Sequence, residues 1–229
     1  DYRYVMLPSE DDMTHAHCLN SAIIAGVFSK WLCLSKEDTF ILIESAFFYD
    51  IGKLKLPNDL IWKPSKLTDA EFAQIKQHTF YSFNILQSQK NINEHVLHAA
   101  LMHHERCDGS GYPSHLKANQ IDIFAKYIAI IDSYEAMTSP RTYRPSKNPF
   151  QVIEAYEKDG FIRFDESILR PILYHIASTQ LGYTVRLSDG TEATVILVNE
   201  KCLSRPLCQA GPDIIDLSLR KDLTIEAIY

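Results

Sequence analysis

No stretch of this 229-residue chain is apolar for long enough to cross a membrane as a helix, because Glu44 interrupts the best run, Phe40 to Phe48. Cysteine builds no framework either. The five stand apart at 18, 33, 107, 202 and 208, odd in number and without a CxxC pair, which argues against a disulfide scaffold and favours a reduced, cytoplasmic setting. Positive charge is in deficit, with 23 basic residues against 29 acidic ones and a net charge of −6. A general attraction to a nucleic-acid polymer or to anionic lipid is therefore not expected, and a phosphate ligand would need a local basic cluster. Internal repeats and low-complexity segments are missing, and Asp1 to Asp12 does not resemble a signal peptide. What is present is a hydrophobic content of 46%, enough for the core of one large domain or of one domain with a small appendage.

Residues 13 to 34 carry Leu19, Ile23, Ala25, Val27 and Trp31 at helical spacing and predict an amphipathic helix. Ser35, with Asp38 three residues on, caps a second helix that runs to Asp50 and breaks at Gly52. A turn and a short helix are expected over Pro57 to Pro64. Thr68 and Glu71 form a capping box for a helix to about Leu86. Further helices are expected over Asn93 to Met102, over Ile121 to Met137, from Asn148-Pro149, and from Asp165 to about Ala177. Near Gly182 the period changes. Tyr183 to Leu187 and Thr194 to Val198 flank Asp189-Gly190, a favoured hairpin dipeptide, and Leu207 to Leu217 adds a further strand. The fold class is mainly α, with residues 1–180 as a helical bundle and 181–229 as a small β-rich extension.

The chemistry gathers around His103-His104-Glu105-Arg106-Cys107-Asp108-Gly109-Ser110-Gly111-Tyr112-Pro113. Two imidazoles end a helix and a glycine-punctuated loop follows, its shape set by the φ freedom of Gly109 and Gly111 and the fixed φ of Pro113. Neutral imidazole is a common metal ligand, and such a loop can bring backbone N–H groups and the Tyr112 hydroxyl to an anion. A surface turn with two solvated histidines is the bland alternative. Elsewhere Asp132 follows the apolar run Ile128 to Ile131, where a buried carboxylate requires a partner, a proton or a metal. Asp50 ends another apolar helix just before Gly52 and Lys53, where a helix-end salt bridge is the simpler reading. His78 lies on the helix that starts at Thr68 and His17 near the start of the first helix, each alone an ordinary histidine.

Taken together, His17-Cys-Leu-Asn, Tyr49-Asp-Ile-Gly-Lys53, Lys76-Gln-His78, the long stretch ending Gly111-Tyr112-Pro113, Asp132-Ser-Tyr-Glu-Ala-Met-Thr138 and Arg141-Thr-Tyr-Arg144 resemble the HD-GYP family. This is a branch of the HD superfamily of metal-dependent phosphohydrolases, and the resemblance covers nearly all of the chain. The tail, with Arg186-Leu-Ser-Asp-Gly190, is similar to a β extension seen in many members. The resemblance implies an HD-superfamily helical bundle that binds divalent iron or manganese and hydrolyses cyclic di-GMP to pGpG or GMP in bacterial second-messenger signalling. It implies that His17, Asp50 and Asp132 hold one metal. Asp50 would bridge to a second, held also by His78, His103 and His104. Lys53, Arg141 and Arg144 would bind phosphate oxygens, Asp50 and Lys53 would carry the catalytic work, and Gly111, Tyr112 and Pro113 would shape the ligand loop. Arg106 fits either the ligand site or a structural salt bridge.

Two departures stand out. The histidine that names the HD motif is replaced here by Tyr49, which takes an imidazole from the first metal, and a phenol with a pKa near 10 ligates only with help from a strong Lewis acid. Met13 stands where trinuclear members carry a glutamate, so one or two ions are expected rather than three. His15, His95, His98, His115 and His175 have no assigned role. The i,i+3 pair His95/His98 is able to chelate a metal, although an exposed helix face is the simpler account. The expectation is a phosphodiesterase weakened at its first metal. The alternatives are an inactive cyclic di-GMP sensor or a module that docks onto a GGDEF-type protein.

Overall fold

A computed structural model describes residues 13–61, 63, 65–139 and 146–229. Among the described residues nine α-helices come first: α1 (Met13–Trp31), α2 (Lys36–Phe48), α3 (Asn58–Ile61), α4 (Asp69–Lys76), α5 (His78–Gln87), α6 (Glu94–Met102), α7 (Ile123–Thr138), α8 (Pro149–Arg163) and α9 (Glu166–Ser178). Five strands follow: β1 (Thr184–Leu187), β2 (Glu192–Leu197), β3 (Leu207–Ala210), β4 (Asp213–Asp216) and β5 (Ile225–Ile228). No helix among the described residues is long and apolar enough to cross a membrane.

The caps read from the sequence are formed. Ser35 Oγ accepts from the Asp38 N–H, and the Thr68/Glu71 box is closed from both sides. Asn148 and Gln151 exchange backbone-to-side-chain hydrogen bonds of 2.9 and 3.1 Å at the start of α8. One expected helix is broken. The segment from Thr68 to Leu86 divides at Gln77, because α4 lies on the surface and buries no side chain, whereas α5 buries His78, Thr79, Ser82 and Leu86. Gly52 enforces that docking. A Cβ there would lie 2.2 Å from the His78 carbonyl oxygen and 2.4 Å from the Ser82 nitrogen.

The chain forms two compact units. The first gathers α1 to α6, α7 as far as Ala136, and Arg163–Asp165; the second gathers α8 as far as Ile162, α9 and the strands. In the first unit α1 packs on α2, and α6 on α2 and α5. Helix α7 is buried nearly all round, through Phe124, Ala125, Ile128, Ala129, Ile130, Ile131 and Tyr134, which identifies it as a core helix rather than a surface one. The segment Arg163–Asp165 is fastened to this unit by the Cys107 N–H on the Arg163 carbonyl (2.8 Å) and by Lys126 on Asp165 (2.9 Å).

In the second unit the strands form one antiparallel sheet in the order β4-β3-β2-β1-β5. Gly190 turns the β1–β2 hairpin at φ +87°, as its Asp-Gly dipeptide predicts. The single strand expected over Leu207 to Leu217 is a hairpin of β3 and β4 bent at Gly211, and β5 is an additional strand. Val185, Leu187, Ala193, Val195 and Cys208 are buried, marking one face of the sheet as core.

Candidate metal centre

Five separate elements of the first unit deliver the residues expected to act together. His17 comes from the second turn of α1, and Asp50 from the turn that ends α2. His78 is the first residue of α5, His103 and His104 follow the last turn of α6, and Asp132 lies in the middle of α7. They form two adjoining sets, His78 with His103 and His104, and His17 with Asp50 and Asp132; within each set the ligand atoms lie within 4.8 Å of one another.

Asp50 joins the two. Its carboxylate is fully buried, with Oδ2 3.4 Å from His17 Nε2 and in contact with the Lys53 ammonium. Oδ1 lies 3.3 Å from His78 Nε2 and 3.6 Å from His103 Nε2 but accepts no hydrogen bond. Burial pushes the Asp50 carboxyl upward, yet Lys53 and the surrounding imidazoles override it and hold it well below the usual carboxylate range. Asp132 is likewise held low, against burial, by His17 and His104.

The imidazoles are oriented from behind. His78 Nδ1 donates to the Ile75 carbonyl (2.7 Å) and His103 Nδ1 to the Ala100 carbonyl (3.0 Å). A carbonyl only accepts, so in each neutral ring the proton sits on Nδ1 and Nε2 presents a bare lone pair. The two Nε2 atoms face each other at 3.2 Å. Burial lowers His78 to about 4 and holds His104 well below the ordinary imidazole value, so both are neutral at pH 7. Two opposed lone pairs beside an unsatisfied buried carboxylate oxygen repel one another unless a cation lies among them. The residues therefore fit a divalent metal, and ring N–H groups tied to carbonyls are the usual outer-shell arrangement of metal-binding histidines.

His17 has such a partner too, one that the sequence reading missed. Its Nδ1 donates to Glu135 Oε2 at 2.6 Å. Glu135 is buried and stands one turn after Asp132 on α7; that i,i+3 spacing was the available signal. Burial pulls His17 down, but Asp132, Asp50 and Glu135 together leave it raised well above its ordinary value. Cys18 next door belongs to neither ligand set, and burial, and then Asp50, push its thiol up to about 12.

Tyr49 enters the first set directly. The side chain is fully buried, and its hydroxyl lies 2.5 Å from His17 Nε2, 3.2 Å from Ser21 Oγ and 3.3 Å from Asp132 Oδ1. Burial, and then the charges of Asp132 and Asp50, raise the phenol well above its ordinary pKa, so it keeps its proton.

The loop after His104 is held in shape by Glu105, also missed from sequence. Its buried carboxylate accepts from the backbone N–H groups of Ser114 (2.6 Å) and Leu116 (2.9 Å). Gly111 is required there, because a Cβ would stand 2.4 Å from the Arg106 nitrogen and 2.5 Å from the His104 carbonyl oxygen. The loop brings the Tyr112 ring onto His104 in a stack with centroids 4.6 Å apart, and Pro113 follows half-buried. Arg106 Nη1 donates to the carbonyls of His103 and Glu105, and its guanidinium lies over Phe164. Arg141 and Arg144 lie outside the described residues. His15, His115 and His175 are not in either ligand set.

The family model for the HD domain matches residues 8–168. The chain belongs to the HD domain family. A cyclic di-GMP phosphodiesterase of Pseudomonas aeruginosa is 30% identical over 203 residues, which is 88% of this chain and 49% of the relative. One of Thermotoga maritima is 38% identical over 155 residues, 67% of this chain and 41% of the relative. The chain thus spans about half or less of the length of these two relatives. The fold is similar to that of an HDG"Y"P protein of Bdellovibrio bacteriovorus, with a TM-score of 0.61 and 15% identity over 73% of this chain and 53% of that one.

Proposed function

We propose that this chain is a metal-dependent phosphodiesterase domain acting on cyclic di-GMP in bacterial, cytoplasmic second-messenger signalling. The observation that carries the reading is the Asp50 carboxylate, buried between two ligand sets with Oδ1 left without a hydrogen bond before His78 and His103. The resemblance of the motifs and the names of the relatives supply the substrate. His78, His103, His104 and Asp50 would hold one cation, iron or manganese by family resemblance, with His17, Asp132 and Asp50 offering the place for another. Such a cation supplies Lewis-acid polarisation of a phosphoryl oxygen and a water acidic enough to attack near neutral pH.

The chain's own groups do the rest. Asp50 fixes the spacing of the two sets, and Lys53 places a positive charge beside it where phosphate oxygens arrive. Tyr112, stacked on His104, walls the approach, and Arg141 and Arg144 are assigned to the phosphates from the sequence motif. A second reading, a cyclic di-GMP sensor or a docking module for a GGDEF-type partner, is favoured by one feature: the Tyr49 hydroxyl contacts ligand atoms of the first set. Anaerobic reconstitution with Fe(II) or Mn(II), elemental analysis, and chromatography of products from cyclic di-GMP separate the readings. The phosphodiesterase reading expects pGpG or GMP that disappears in His103→Ala. Tight cyclic di-GMP binding with no product from the metal-loaded chain would establish the sensor reading instead.

A further inference from the structure

We propose that His95, His98 and Asp122 form a second binding site for a divalent transition metal, apart from the centre described above. His95 and His98 lie one turn apart at the start of α6 and share a face. The structure adds what the sequence pair lacked, a third donor from the residue just before α7. Asp122 Oδ1 is committed to the Phe124 N–H at 2.8 Å. Its Oδ2 faces both imidazoles, 2.7 Å from His95 Nδ1 and 3.4 Å from His98 Nδ1.

The three donor atoms lie within 4.8 Å of one another. A tetrahedral ion with bonds of about 2.0–2.1 Å separates its ligands by roughly 3.3 Å. The His98 distance already matches, and the His95 distance opens to it by a small ring rotation. His95 is backed by the Phe124 ring at 4.7 Å. Asp122 is only 11% exposed while His95 and His98 are 35% and 40% exposed, so the cluster has a buried anion at its base and an open side for an entering ion and a fourth, solvent ligand. Two imidazoles and one carboxylate suit Zn, Ni or Cu rather than Mg or Ca. His95 and His103 are eight positions apart along α6 and its cap, about 12 Å of helix rise, so the two places do not share an ion.

The inference stands without the phosphodiesterase reading. It is tested by counting bound metal on the full chain, stripped with chelator and titrated with Zn(II), with Co(II) absorption as a second readout. His98→Ala and Asp122→Asn are the variants; asparagine caps a helix as well as aspartate, so the second preserves the start of α7. The parent is expected to bind one more equivalent at micromolar metal than either variant, and both variants are expected to keep their full occupancy at His78, His103 and His104. An equal number of equivalents in the parent and both variants would show that Asp122 is only a hydrogen-bond acceptor for two surface histidines, and would overturn the site.

Discussion

The hydroxyl of Tyr49 contacts His17 Nε2 and Asp132 Oδ1, atoms of two of the residues grouped in the first set. With its pKa raised by burial, the phenol would have to give up its proton to ligate a cation there, and as a hydroxyl it occupies the place of one. Among the described residues no hydroxyl contacts the donor atoms of His78, His103, His104 and Asp50, and the Lys53 ammonium lies on the Asp50 carboxylate. The parent is therefore expected to hold one metal tightly and a second weakly, and Tyr49→His to hold two with a parallel rise in cyclic di-GMP turnover. Elemental analysis after anaerobic loading decides this, and two tightly held metals in the parent would sink the asymmetry. Glu135 acts one step further out, on His17 Nδ1. Outer-shell partners of this kind are worth about 10–100-fold in metal affinity. Glu135→Gln should lose a factor of that order at the first set in a chelator competition; an unchanged affinity would reduce Glu135 to a packing role.

At the scale of elements, the short helix α4 offers a pH test. Glu71 is held at about 2 against an ordinary 4.5, first by the hydrogen bond from Lys63, then by the backbone N–H and hydroxyl of Thr68. A carboxyl lowered by folding stabilises in full above its unfolded pKa, and that contribution is lost as pH falls through the folded value. Glu71→Gln should therefore melt below the parent at neutral pH, with the gap closing between about 4.5 and about 2. A gap that does not change with pH would mean that Lys63 contributes nothing.

This capping box was legible because Thr68 and Glu71 are neighbours in sequence. The break at Gln77 was not, because helical periodicity continues through it and only the docking of α5 against Gly52 reveals it. The six candidate ligands stood out as motifs and the fold brings them together, but Glu105 and Glu135 look like ordinary loop and helix acids until burial shows which groups they face. For the same reason β5 was missed: its pairing with β1 depends on residues about forty positions earlier.

Across the molecule, the candidate ligands of the centre come from α1, the turn after α2, α5, the end of α6 and α7, all in the first compact unit. The strands and α9 contribute none. Bound metal should thus act as a clamp on one unit, because an ion that binds only the folded form stabilises by about 4 kcal/mol when present at a thousand times its dissociation constant. Without it, neutral imidazoles and unsatisfied Asp50 Oδ1 remain packed together at a cost. Chelation should lower hydrogen-exchange protection in α1, α5, α6 and α7 while β1 to β4 keep theirs. Restoring Mn(II) should recover it in the parent at a lower metal concentration than in His103→Ala, which has lost one of the four donors His78, His103, His104 and Asp50. Equal loss of protection in helices and strands on chelation would mean that the two units unfold as one. No loss in either would mean that the centre folds without a contribution from metal.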